Sequence, residues 1–220
     1  SDQNWPNTMA VYRLPDEIVF PDPHEAEPDG LLAVGGDYSV ERLLLAYNHG
    51  IFPWFQYKGD IYWYATNPRM IVYPDKYKPN HGLRRLLKKC PYHVTINTCF
   101  EDVINHCAKV KRKEKGTWIN KNYKKGFIEL HKMGYAISIE TWLEDELAGG
   151  LYGIVAGSGF TGESMFSVHP NASKVAFHHL VMLARHLNWT FIDAQQDTPH
   201  MRTLGGELIS FDDFYLLLTE

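Results

Sequence analysis

The sequence predicts a mixed α/β chain of the α+β kind, with a small N-terminal lobe over residues 1–70 and a larger sheet with flanking helices over 71–220. Three observations predict it. The runs "YAISIETW", "LAGGLYGIVAG" and "GFTGESMFS" (135–167) are separated by the turn "LEDE" and a Gly break, the pattern of a three-stranded antiparallel meander. "NASKVAFHHLVMLARHLN" (171–188) has the apolar spacing of an amphipathic helix with a cap in front of it. "WTFIDAQ" (189–195) is then a strand reached through a helical crossover, so it should run parallel to its neighbour.

From the N-terminus, a Pro-rich arm carries eight acids against the lone Arg13 over residues 1–37. "SVERLLLAYNHG" (39–50) reads as a helix with Ser39 as N-cap and Gly50 at its stop, and "IFPWF" ends it. Tyr62 to Tyr64 and Met70 to Tyr73 read as short strands around the "TNPR" turn. "TCFEDVINHCAKV" (98–110) begins with a capping-box spacing, Thr98 with Glu101. The segment 81–132 has thirteen Lys or Arg against four acids, a local excess of nine positive charges in a chain whose formal net charge is −4. On charge alone, a solvated helical face and a nucleic-acid footprint weigh equally.

With 220 residues, 45% of them hydrophobic, the chain can bury a substantial core. No apolar run reaches the roughly 18 residues of a membrane span, and the first residues lack a signal-peptide pattern. Cys90, Cys99 and Cys107 fit no zinc or disulfide framework, so a soluble protein in the reducing cytoplasm, with no metal, is expected.

Glu163 stands alone in an otherwise strand-like stretch. Alternation puts Thr161, Glu163, Met165 and Ser167 on one face and Phe160, Gly162, Ser164 and Phe166 on the other. An unpaired buried carboxylate is costly, so Glu163 needs either an internal partner such as Lys174 or a cationic ligand. At the end of "FIDAQQD" the same rule groups Asp193, Gln195 and Asp197, with Ile192 and Ala194 packed behind them. Polar groups at a strand's C-terminal end suit a site, although an isolated acid there more often caps a turn.

The order of strands and helix resembles the core of the GNAT acyltransferases, but the Gly-rich loop that holds coenzyme A in those enzymes is missing, so coenzyme A is not expected. A more specific resemblance covers nearly the whole chain. "DGLLAVGGDYSVERLLLAYNHGIFPWF" (29–55), "NPR" (67–69), "GTWI" (116–119), "ISIETW" (137–142), "ELAGGLYG" (146–153), "GESMFS" (162–167), "NASKVA" (171–176), "IDAQ" (192–195) and "H…LGG" (200–206) occur in the order of the leucyl/phenylalanyl-tRNA–protein transferase family, which the chain therefore resembles.

That resemblance implies an N-degron enzyme that moves Leu or Phe, with Met a further candidate, from tRNA to an N-terminal Arg or Lys. The aminoacyl ester is already activated, so no cofactor is implied; the expected partners are aminoacyl-tRNA and the acceptor protein, and the expected state is a monomer away from membranes. The family's donor side-chain pocket carries over to Leu151, Phe160, Met165, Phe177, Leu180 and Ile192, with Ala184 where relatives often have an aromatic residue and a wider pocket expected. Strict alternation sets Phe160 opposite Met165, which requires a bulge or a wrong assignment. Trp54 and Trp118 match tRNA-end positions, Trp118 as the stacking platform for the terminal adenosine. Phe127 replaces a usual tyrosine, and Arg84, Arg85, Lys88 and Lys89 match the family's backbone-binding helix, turning the basic segment toward RNA. For catalysis, Gln195 is assigned to orienting the acceptor amine, Asp193 to holding Gln195 and stabilising the developing ammonium, and Glu163 to meeting the cationic acceptor. The rival readings are a coenzyme A-dependent N-acyltransferase and a non-catalytic tRNA-binding protein.

Overall fold

The computed structural model describes residues 7–8, 11–113 and 119–220. Two sheets organise it. The first has β1 (Asn7–Thr8), β2 (Val11–Leu14), β3 (Leu31–Gly35), β4 (Phe52–Tyr57) and β5 (Asp60–Tyr64) in the order β1-β2-β3-β5-β4, with α1 (Val40–Asn48) between β3 and β4. Ser39 caps α1 as expected, its hydroxyl accepting from the Arg42 N–H, and Gly50 follows with φ +76°. The "IFPWF" stretch does more than stop the helix. Phe52, Pro53 and Phe55 pair with β5 as part of strand β4, Trp54 being the extra residue of a bulge, and Trp54, Phe55, Tyr62 and Tyr64 pack ring against ring.

The second sheet contains β6 (Arg69–Val72), β7 (Tyr92–Ile96), β8 (Ala136–Leu143), β9 (Glu146–Ala156), β10 (Gly159–Ser167), β11 (Ile192–Asp193) and β12 (Glu207–Ile209), in the order β12-β6-β11-β10-β9-β8-β7. The expected meander is β8-β9-β10, antiparallel throughout, and β11 lies parallel to β10 after the crossover helix α5 (Ala172–His186). Around the sheet sit α2 (His81–Lys88), α3 (Phe100–Lys113), α4 (Lys121–Lys132), α6 (Pro199–Thr203) and α7 (Phe211–Thr219). The expected lobe boundary at 70 falls inside β6, which pairs with β11 and β12. One apolar cluster spans both sheets through Trp63, Tyr47, Tyr123 and Phe214, and a second lies between α5 and the larger sheet through Leu151, Phe160, Leu180 and Ile192.

Three local expectations are corrected by tertiary partners. Helix α3 starts at Phe100, and the Thr98 N–H goes to the buried Glu140 carboxylate of β8 at 3.0 Å, so the Thr98–Glu101 box does not form. Asn171 precedes α5 in a left-handed conformation with no side-chain cap; the Ser173 N–H instead donates to Ser167 Oγ. The predicted strand 189–195 shortens to Ile192–Asp193 because Gln195 adopts φ +66° and turns the chain away from the sheet.

Candidate active site

Strand β10 changes register on β9 between Gly162 and Ser164, leaving Glu163 as the extra residue of a β-bulge. A bulge inverts the alternation beyond it, so Phe160 and Met165 reach the same cavity and the expected conflict disappears. That cavity holds about 300 Å³ between β9, β10, β11 and α5. Its apolar part includes Leu151, Phe160, Met165, Phe177, Leu180 and Ile192, all six of the donor-pocket candidates outside position 184. Gly153 makes room for this wall, since a Cβ there would run into the Phe160 ring and the Thr161 carbonyl. Ala184 is fully buried in the α5 cluster but does not line the cavity: it lies one turn beyond Leu180, so it cannot widen the pocket directly.

The polar end of the same cavity brings Glu163, Asp193 and Gln195 together. The partner of Glu163 is neither Lys174 nor an open position. Its Oε1 accepts from the Tyr47 hydroxyl and from Gln195 Nε2 at 2.7 Å, and its Oε2 accepts from the Tyr123 hydroxyl at 2.7 Å. Burial pushes the carboxyl up to about 7, the three donors hold it back, and the Asp193 charge adds to the rise.

Asp193 is fully buried in a bidentate pair with Arg69, at 2.8 and 2.7 Å. The Arg69 guanidinium also donates to the Gly50 carbonyl and lies 4.5 Å from the Phe214 ring centre. Asp193 Oδ1 in turn accepts the Gln195 N–H at 2.8 Å, an Asx-turn that supports the left-handed backbone at Gln195. Asp193 therefore holds Gln195 through its main chain, and the Gln195 side chain lines the cavity with its Nε2 given to Glu163. Asp197 does not join them. The turn at Gln195 ends the alternation, and Asp197 forms an exposed bidentate pair with Arg202. Ile192 and Ala194, expected behind the polar residues, line the same cavity as Asp193 and Gln195.

Trp54 lines the cavity and, with Phe55, Tyr64 and Asp29, a neighbouring cleft of about 510 Å³. Arg84, Arg85, Lys88 and Lys89 are exposed on and just after α2 and make no ion pair among the described residues. Phe127 is fully buried and stacked on Tyr123 at 4.2 Å, so its ring has no surface to offer an RNA. Trp118 lies outside the described residues. Sequence reasoning named no role for Arg69, Tyr47, Tyr123, Tyr152 or His200, all of which touch or support the cavity. Arg69, Tyr47, Tyr152 and His200 fall inside the quoted family segments, which was their one signal; Tyr123 falls in none. No helix among the described residues is long and apolar enough to cross a membrane.

The family model described as leucyl/phenylalanyl-tRNA protein transferase matches residues 71–219, and that of its N-terminal domain matches residues 36–67. The leucyl/phenylalanyl-tRNA–protein transferase of Syntrophobacter fumaroxidans is 47% identical over 96% of this chain and 91% of its own length. Those of Maridesulfovibrio salexigens and Neisseria meningitidis serogroup B are 46% and 45% identical, over 96% and 91% of this chain and 89% and 86% of their own lengths. Among solved structures, a conserved protein of unknown function from Bacteroides thetaiotaomicron aligns at TM-score 0.43 and 12% identity, over 70% of this chain and 57% of that one. A GCN5-related N-acetyltransferase from Kribbella flavida aligns at TM-score 0.41 and 9% identity, over 74% and 58%. This chain thus spans somewhat over half of each of those two structures. With both family models matched in chain order and near-half identity to relatives over most of its length, the chain belongs to the leucyl/phenylalanyl-tRNA–protein transferase family and is an aminoacyl-tRNA–protein transferase.

Proposed function

We propose that this enzyme transfers leucine or phenylalanine, and within the reach of the same pocket methionine, from tRNA to the N-terminal Arg or Lys of proteins, marking them for degradation by an N-degron route. The observation that carries the reading is one cavity with an oily end and a carboxylate–amide end. The donor side chain enters among Leu151, Phe160, Met165, Phe177, Leu180 and Ile192, which sets the ester carbonyl beside Glu163 and Gln195. A pocket of this kind separates side chains by about 1–3 kcal/mol per methylene.

The acceptor's α-amine, with an ordinary pKa of about 7.7–8.0, is partly neutral at working pH. On this reading Gln195 Oε1 accepts one of its N–H groups and aims the lone pair at the ester carbon. Glu163 faces the positive charge of the amine or of the Arg or Lys side chain. Asp193, held by Arg69, acts as a positioning residue through the Gln195 main chain. The basic residues Arg84, Arg85, Lys88 and Lys89 meet the tRNA backbone, and Trp54 and Trp118 stack its 3′ end. The protein works as a cytoplasmic monomer.

The test is a transfer assay with leucyl-, phenylalanyl- and methionyl-tRNA as donors and peptides beginning with Arg, Lys, Asp or Ala as acceptors. Transfer confined to Arg and Lys peptides is expected. Equal transfer to Ala peptides would remove the acceptor assignment, and dependence on acyl-coenzyme A would replace the donor.

A further inference from the structure

A half-buried carboxylate with no cation against it among the described residues should carry a proton, yet Glu163 is dressed as an anion. Its two oxygens collect three donors from three separate elements, Tyr47 of α1, Tyr123 of α4 and Gln195 after β11. Tyr123 is also within 3.1 Å of the Tyr152 hydroxyl of β9, so the hydroxyls form a chain running from the core to the cavity. All three phenol rings are buried, and burial together with the nearby Glu163 charge holds their hydroxyls well above 10. They therefore stay protonated and remain donors throughout the working pH range.

The charged and titratable groups around Glu163 among the described residues are Tyr38, Tyr47, Tyr123, Tyr152 and Asp193, the last already paired with Arg69. His200 lines the same cavity with its Nε2 against Met165 Sδ, and burial, then Lys174, lowers its pKa. The four tyrosines, raised by burial, keep their protons at neutral pH. What remains is the cavity side, where the acceptor amine must arrive.

We infer that Tyr47 and Tyr123 are positioning residues of the transfer reaction, clamping Glu163 so that its carboxylate takes the proton the acceptor's α-ammonium must lose. The inference rests on the transferase reading of the same cavity and adds to it the group that activates the amine. The step balances. The ammonium gives one proton to Glu163 and becomes a neutral amine; its lone pair forms the new C–N bond while the ester C–O bond to the ribose breaks. The second amine proton ends on the departing ribose oxygen, giving a hydroxyl, and Glu163 then releases its proton to water. A carboxyl held near neutrality is matched to this exchange, whereas an ordinary carboxylate would be too weak a base.

The test uses the full chain and three single-oxygen deletions, Tyr47→Phe, Tyr123→Phe and Tyr152→Phe. Two quantities are read: the acidic limb of kcat/KM between pH 5 and 9 with phenylalanyl-tRNA and an Arg-initiated peptide, and the Glu163 titration by carboxyl 13C NMR. Tyr47→Phe and Tyr123→Phe are expected to move both upward by about one pH unit, the equivalent of one hydrogen bond to a charged group. Tyr152→Phe, one hydroxyl removed from the carboxylate, should move them less. Activity that falls equally at all pH values, with the limb and the titration unmoved, would make the tyrosines purely structural and overturn the inference. A Glu163 titration that shifts while kcat/KM keeps its wild-type limb would take the proton-accepting role from Glu163. A wild type that transfers nothing, with the titration still shifting, would instead overturn the transferase reading and the proton role with it.

Discussion

Arg69 and Asp193 show how much a single buried pair can decide. Both are desolvated, and each satisfies the other with two charge-assisted hydrogen bonds. Arg69→Met leaves an uncompensated carboxylate in the core, which should lower unfolding stability by about 3–5 kcal/mol in a denaturant titration. Asp193→Asn should lower stability and turnover together, because it loosens the turn that sets Gln195. Glu163 gives a pH signature of its own. Its folded pKa, about 7, lies above the ordinary carboxyl value of 4.5, so its contribution favours the native state fully below about 4.5 and is lost as pH rises through about 7. Glu163→Gln should therefore flatten the difference in Tm between pH 5 and pH 8; an undiminished difference would assign the pH dependence to other groups.

At the scale of elements, the β10 bulge and the α5 crossover build the apolar end of the cavity between them. The wall depends on Gly153, where the Phe160 ring crosses strand β9. Gly153→Ala should overpack this contact and cost about 1–3 kcal/mol, with a raised KM for the aminoacyl-tRNA as the sign that Phe160 has moved. Helix α2 presents a different kind of surface, with Leu83 buried and its four cations in solvent. Replacing Arg84, Arg85, Lys88 and Lys89 by Ala should weaken tRNA binding at every base sequence. It should also reduce the slope of log affinity against log salt by roughly 3, as four phosphate contacts at about 0.7–0.9 each would require. An unchanged slope would move the RNA contact elsewhere.

Across the whole molecule, the N-terminal segment and the last helix are joined at His24. Its ring nitrogens sit 2.7 Å from Asp22 and from Asp212, and its ring packs edge-on against Phe211 and Tyr215. The imidazole bond to Asp22 and then that to Asp212 raise its pKa against the opposing effect of burial. A raised histidine stabilises fully below its unfolded value of about 6.5 and loses that contribution as pH climbs through the folded value. The Tm of His24→Gln should accordingly fall less than wild type between pH 6 and pH 8, and parallel curves would remove His24 from the account. His178, His179 and His200, lowered chiefly by burial, act in the opposite sense, so the variant difference is the diagnostic quantity.

The sequence by itself determined the class of fold, the meander with its parallel return strand, the family, and six residues that line one cavity, because periodicity and ordered motifs are local properties of the chain. It missed β4, whose strand character comes from aromatic packing on β5 rather than from alternation. It placed Ala184 in the cavity and Asp197 beside Gln195 because both were set by family position or strict alternation, which a helical turn and one left-handed residue overrode. Only the tertiary structure decided what holds Glu163 and Asp193. Their partners, Tyr47, Tyr123 and Arg69, lie 116, 40 and 124 positions away in the chain, and the cost of burying a charge is met by whichever donors the fold brings there.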